Sequence, residues 1–178
     1  VEDALAAKGR GNTHFKASEW AEARLCYTEA IRLGPRDTLF DEQRAILHAN
    51  RAAAHLKLDD TKDALLDCNT AILLNPKYTK ALLRRSTVHE RMDKLDEAKS
   101  ADVELVLTRD PRNQFALDAK VRLQKLLDER NEKLKDEMMG KLKGLGNSIL
   151  GKFGMSLDNF KMEKDPATGV FVSNALQR

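Results

Sequence analysis

Aromatic residues are scarce in this chain of 178 residues: one Trp, two Tyr and six Phe make up 5% of it. A core of packed rings is therefore excluded, and burial has to rest on Leu and Ala. Proline is also sparse, with four residues, so long stretches lack the one residue that breaks helices outright. Only two cysteines occur, Cys26 and Cys68. They are too few for a disulfide framework, and two buried thiols in a reducing compartment are expected. No apolar run reaches the roughly 18 residues that a bilayer span requires, so no membrane partner is expected. Neither sign of charge dominates; the net charge of +3 does not argue for nucleic acid. The chain starts at Val1 rather than Met, which suggests a fragment or a processed chain, and no signal peptide is visible.

The composition that remains is 42% hydrophobic and 33% charged. It is rich in Ala, Leu, Glu, Lys and Arg, all strong helix formers. Three segments align with one another: Ala4 to Arg36, Ala45 to Lys77 and Thr79 to Pro111. Each carries an alanine in its second half (Ala23, Ala64, Ala98) and closes on a proline (Pro35, Pro76, Pro111). Polar turns divide each segment: Ala17-Ser18-Glu19, Leu58-Asp59-Asp60 and Met92-Asp93-Lys94. This pattern predicts one helix, a turn and a returning helix per segment. The small residues Gly11, Ala23, Ala52 and Ala64 would let the paired helices approach closely. Such a pair cannot bury its apolar face alone, so neighbouring pairs must stack.

Gly11, Phe15, Ala23, Tyr27, Ala30 and Pro35, followed by Ala64, Ala71 and Pro76, resemble the tetratricopeptide repeat. The resemblance covers about two-thirds of the chain and implies an all-α fold of three repeats in a superhelical α-solenoid over residues 4–111. Three departures stand out. Ala7 occupies the tryptophan column of the first repeat, Thr38 to Arg44 reads as an insertion, and one extra residue lies between Ala98 and Pro111. A long capping helix over 112–145 is expected next, since Leu123, Leu127, Leu134, Met138 and Leu142 recur at helical spacing. Its later part, Asp128 to Lys143, reads as a lone amphipathic helix, and Gly144-Leu145-Gly146-Asn147 as its stop. In the C-terminal tail, 146–178, Asp165-Pro166-Ala167-Thr168-Gly169 between two alternating runs predicts a short β-hairpin. Phe153, Met155, Leu157 and Phe160 form an apolar cluster expected to dock on the helices.

Lys8 and Asn12 are four residues apart on the first helix of repeat one, and so are Lys80 and Arg84 in repeat three; Asn50 holds the matching face in repeat two. Stacking would aim all five into one groove. Like charges gathered in one concave site need an anion to justify them. Lys supplies a point charge, Arg a two-pronged fork and Asn a neutral donor. These five resemble the two-carboxylate clamp of tetratricopeptide domains that bind chaperone tails. The resemblance implies that Lys8, Asn12 and Asn50 hold the free α-carboxylate of a tail ending Glu-Glu-Val-Asp. Lys80 and Arg84 would hold side-chain oxygens near that end. Phe15, Ala53 and Lys57 match the positions lining a pocket for the tail's apolar side chain.

Taken as a whole, the resemblance implies a cytoplasmic co-chaperone adaptor that is not an enzyme and needs no cofactor. Its partners would be the C-terminal peptides of seventy- and ninety-kilodalton heat-shock chaperones, with a G protein as a second partner. His48 and His55 share a helix face near Cys68, but packing roles are far commoner than metal binding and no metal is expected. No nucleophile, paired-carboxylate site or phosphate loop can be placed. Two rival readings stay open: a module for an internal acidic segment, for example on a GTPase, and a self-assembling protein joined through the 128–143 helix and the hairpin.

Overall fold

The computed structural model describes residues 1–152, 160–164 and 171–175. Five helices come first: α1 (Glu2–Lys16), α2 (Trp20–Leu33), α3 (Asp41–Lys57), α4 (Thr61–Leu74) and α5 (Thr79–Arg91). A short α6 (Leu95–Glu97) passes through a π-helical turn (Ala98–Val103) into α7 (Glu104–Arg109), and α8 runs over Gln114–Gly151. The chain falls into two compact units, residues 1–127 and 128–178. Within the first unit α1 packs on α2, α2 on α3, α3 on α4 and α4 on α5, the all-α pattern of stacked helix pairs.

Local chemistry explains the pairs. The middle residue of each predicted turn, Ser18, Asp59 and Asp93, adopts a left-handed backbone (φ 64°, 65° and 57°) that reverses the chain. Asp tolerates that conformation better than most residues with a side chain. Ala23, Ala52 and Ala64 are fully buried, as their proposed role in close helix contact requires. Gly11 shows the same need most sharply, because a Cβ there would meet Cε1 of Tyr27 at 2.7 Å.

The three departures from the repeat have structural outcomes. Ala7 is buried within the first helix pair's core. Thr38–Phe40 form a 3-10 turn capped by the Asp37 carboxylate, and Asp41 already begins α3, so the insertion extends a helix. Phe40 is buried, and its ring leaves no room for a Cβ on Gly34 (2.6 Å). The extra residue of the third repeat lies within the π turn, which adds one residue to a helical turn without ending the helix. Ala64 and Asp67 are three positions apart, whereas Ala98 and Asp102 are four apart, and both aspartates are nevertheless buried.

In the first unit the start of α8 buries Ala116, Ala119, Leu123 and Leu127 against Leu82, Leu95, Val103 and Val106. The glycine stop expected at 144–147 is not where the helix ends: α8 continues to Gly151. Glycine in a helix interior costs about 1 kcal/mol relative to Ala, which weakens the segment without breaking its hydrogen bonds. In the second unit β1 (Phe160–Lys164) and β2 (Phe171–Ala175) pair antiparallel, with Phe160 opposite Ala175 and Lys164 opposite Phe171. The hairpin's turn, and Phe153, Met155 and Leu157 with their expected docking, lie outside the described residues. No described helix is long and apolar enough to cross a membrane.

Candidate functional site

The first helices of the three pairs, α1, α3 and α5, share one pocket of about 190 Å³. Asn12, Phe15 and Lys16 come from α1, Asn50 and Ala53 from α3, and Arg84 from α5; Tyr27 of α2 completes the lining. Hydrogen bonds run along it. The Tyr27 hydroxyl donates to Asn12 Oδ1 at 2.9 Å, and Asn50 Nδ2 donates to the same oxygen at 3.4 Å. Arg84 Nη1 in turn donates to Asn50 Oδ1 at 3.4 Å. Burial pushes the Tyr27 phenol above its ordinary value, against the lowering pull of Arg84, so it remains a donor. Both amide oxygens of the row thus accept from within, Asn12 Oδ1 twice and Asn50 Oδ1 once. What remains for a ligand is mainly donors: the Asn12 amide N–H groups, the second Asn50 N–H and the rest of the guanidinium.

Arg84 is half-buried, and burial lowers its pKa while Tyr78, Cys68 and Tyr27 pull the other way. Among the described residues no carboxylate ion-pairs with it. Arg84 also opens onto a second pocket of about 680 Å³, which Lys80 lines together with Leu83, Thr87, Phe115 and Arg122. Lys80 is exposed. Phe115, in the first turn of α8, is 79% exposed on this pocket's wall. The two pockets meet at Arg84, so an extended chain could lie in both.

Six of the eight residues singled out in the sequence therefore line the joined pockets: Asn12, Phe15, Asn50, Ala53, Lys80 and Arg84. The other two are held to the side. Lys8 Nζ donates to Gln43 Oε1 at 3.0 Å, and Lys57 Nζ sits 5.3 Å from the centre of the Trp20 ring. That ring packs edge-on against Phe15 at 4.8 Å between centroids. Sequence reasoning missed Tyr27 as a site residue, having used it only as a repeat marker. It also missed Gln43, Leu83, Thr87, Phe115 and Arg122. Gln43 lies in the insertion, where no repeat column could flag it.

A second set of charges lies in the seams between helices. Arg51 grips Asp67 through Nε (2.8 Å) and Nη2 (2.7 Å), and His48 Nδ1 shares Asp67 Oδ1 at 2.9 Å. Arg85 grips Asp102 in the same way, at 2.9 and 2.7 Å. His55 Nδ1 lies 3.4 Å from Asp60. His48 and His55 are thus engaged with carboxylates of the fold. Of the two thiols, Cys68 is buried and its pKa is pushed up to about 12 by that burial, whereas Cys26 is only half-buried.

Comparison with known proteins bears on this arrangement. No protein-family model matches the chain. The mouse mitochondrial import receptor subunit TOM70 is 37% identical over 135 residues, 76% of this chain but 22% of TOM70, so the chain spans about a fifth of that relative. Among solved structures, the first TPR (tetratricopeptide-repeat) domain of Spaghetti (RPAP3), bound to the HSP90 peptide SRMEEVD, is 35% identical with a TM-score of 0.64. The match covers 71% of this chain and 97% of that one. The second TPR domain of human RPAP3, in complex with the HSP70 peptide SGPTIEEVD, is 37% identical with a TM-score of 0.61, covering 69% and 96%. With the stacked pairs, the left-handed turns and the small-residue seams, these matches show that the chain belongs to the tetratricopeptide-repeat family.

Proposed function

We propose that this chain is a binding adaptor, not an enzyme, that takes the acidic C-terminal tail of a heat-shock chaperone in the joined pockets. In this reading residues 4–111 are the ligand-holding repeats, and the start of α8, up to Leu127, caps them. The observation that carries the proposal is the donor-rich face. Tyr27 and Asn50 fill the Asn12 amide oxygen, Arg84 occupies one side of the Asn50 oxygen, and Arg84 lies half-buried beside them without an ion-pair partner among the described residues. Such a surface is complementary to carboxylates. Asn12, Asn50 and Lys8 would take the terminal α-carboxylate, with Lys8 turning from Gln43. Lys80 and Arg84 would take carboxylate oxygens nearer the second pocket. Phe15, Ala53 and the Lys57 stem beside Trp20 would enclose the apolar side chain between them. The peptides in the related RPAP3 structures end in EEVD, which fits that order of groups.

The decisive test is calorimetry with two peptides ending in Glu-Glu-Val-Asp, one with a free acid end and one amidated. Amidation removes the charge and puts an NH₂ donor before a surface rich in donors. The expected loss is ~2–4 kcal/mol, on the order of thirty- to thousand-fold in Kd. Equal affinities would instead favour an internal acidic segment as the ligand, because such a segment never uses a chain end.

A further inference from the structure

The insertion between the first two repeats reaches the site at one point, Gln43. Repeat two starts at Ala45 and repeat three at Thr79, and α5 begins where its repeat does. α3 begins earlier, at Asp41, so the insertion adds a helical turn, residues 41–44, ahead of the repeat. Gln43 sits on that turn. It lies seven residues before Asn50, two turns along the helix and within about 20° of the same face. On α1, Lys8 lies four residues before Asn12 on a shared face. The first helices of the two repeats are thus bridged twice. Asn50 Nδ2 donates to Asn12 Oδ1 at 3.4 Å, and Lys8 Nζ donates to Gln43 Oε1 at 3.0 Å.

The two bridges differ in place. Asn12 and Asn50 line the first pocket, whereas Lys8 and Gln43 do not. The Lys8 ammonium is therefore held off the pocket wall, by a residue that the repeat itself does not supply. Its acceptor is neutral. Asp41, two residues before Gln43, is paired with Arg44 at 3.2 Å, and among the described residues no carboxylate ion-pairs with Lys8. Lys80, on the wall of the second pocket, has no comparable partner among the described residues. A hydrogen bond from an ammonium to an amide oxygen is weaker than one to a carboxylate. An arriving α-carboxylate can thus take Lys8, but only once the bond to Gln43 is given up.

We infer that Gln43 is a specificity-determining residue of this site: its amide oxygen latches Lys8 away from the chain-end pocket and so narrows the preference for a free α-carboxylate over an amidated or internal segment. The inference rests on the tail-binding reading of the joined pockets. Its test is an NMR titration of the full chain with the acid-ended and the amidated peptide ending in Glu-Glu-Val-Asp. Gln43→Leu removes the acceptor at similar size. It should tighten the acid-ended peptide by ~3–10-fold, the usual worth of one hydrogen bond, and leave the amidated peptide within ~2-fold. Gln43→Glu turns the latch into an ion pair and should weaken the acid-ended peptide by ~10-fold or more. The added charge also repels both peptides, so the acid-to-amide ratio is the quantity read, and it should rise for Gln43→Leu and fall for Gln43→Glu. In a Lys8→Ala chain Gln43→Leu should leave acid-ended binding unchanged, whereas a merely structural role for Gln43 would not depend on Lys8. Weaker acid-ended binding by Gln43→Leu, or a ratio moved by neither substitution, overturns the latch and leaves the tail reading standing. A wild-type chain that binds both peptides equally overturns both.

Discussion

Arg84 and Arg85 stand side by side on α5, yet their surroundings differ in kind. Arg85 forks onto Asp102, a carboxylate with 0% exposure, and its pKa rises because that hydrogen bond favours the charged form. Arg84 is half-buried beside Asn50 and two tyrosines, and burial lowers its pKa. One charge is answered inside the fold; the other has its desolvation only partly offset there. The difference separates charges that hold helices together from charges that the proposed function assigns to a ligand. It repeats elsewhere, since Arg51 on Asp67 belongs with Arg85, and Lys80 belongs with Arg84.

The largest effect should come from breaking the seam. Arg85→Ala leaves Asp102 buried and uncompensated, and a loss of ~3–5 kcal/mol in unfolding free energy is expected by urea titration. Arg84→Ala should do the reverse. Its stability should stay within ~1 kcal/mol of the wild type, while affinity for an acid-ended tail falls by ~2–5 kcal/mol in calorimetry. Similar unfolding curves for the two variants would erase the distinction.

Acid should act through the seam as well. Burial alone would raise the Asp67 carboxyl, but the hydrogen bonds and charges of Arg51 and His48 hold it below its ordinary value. A carboxylate with a lower pKa in the folded state contributes stability that is fully present above the unfolded value, near ~3.9. That contribution is lost as pH falls through the folded value. Denaturation series below about pH 5 should therefore show a shallower acid loss for Asp67→Asn than for the wild type, together with lower stability at neutral pH. The smallest effect tests the groove's internal wiring. Tyr27→Phe keeps the ring over Gly11 but removes the donor that orients Asn12. Tail affinity should drop by ~0.5–1.5 kcal/mol, the usual worth of one neutral hydrogen bond.

Much of this was legible in the chain because it is local. The alanine and proline columns marked the helix pairs, and a short turn with two polar residues marked each reversal. The extra residue between Ala98 and Pro111, twelve where Ala64 and Pro76 have eleven between them, was visible as a count; its outcome, a π turn, was not, since a loop could have absorbed it equally well. The glycines at 144 and 146 were misread as a stop, because glycine weakens a helix without forbidding it. Asn12, Asn50, Lys80 and Arg84 were singled out from helix spacing together with the family resemblance, and all four line the joined pockets. Asp67 and Asp102 passed unnoticed, although they anchor the seams, because an acid in a helix reads as solvated surface until its opposing helix is known.

The sequence by itself determined where helices begin, reverse and approach, since backbone preference and side-chain size act over a few residues. Only the tertiary structure decided which arginine meets a carboxylate and which way each asparagine amide points. Those outcomes depend on groups 15 to 38 positions apart. A hydrogen bond or ion pair is a matter of ångströms, and no spacing along one helix sets the distance to another.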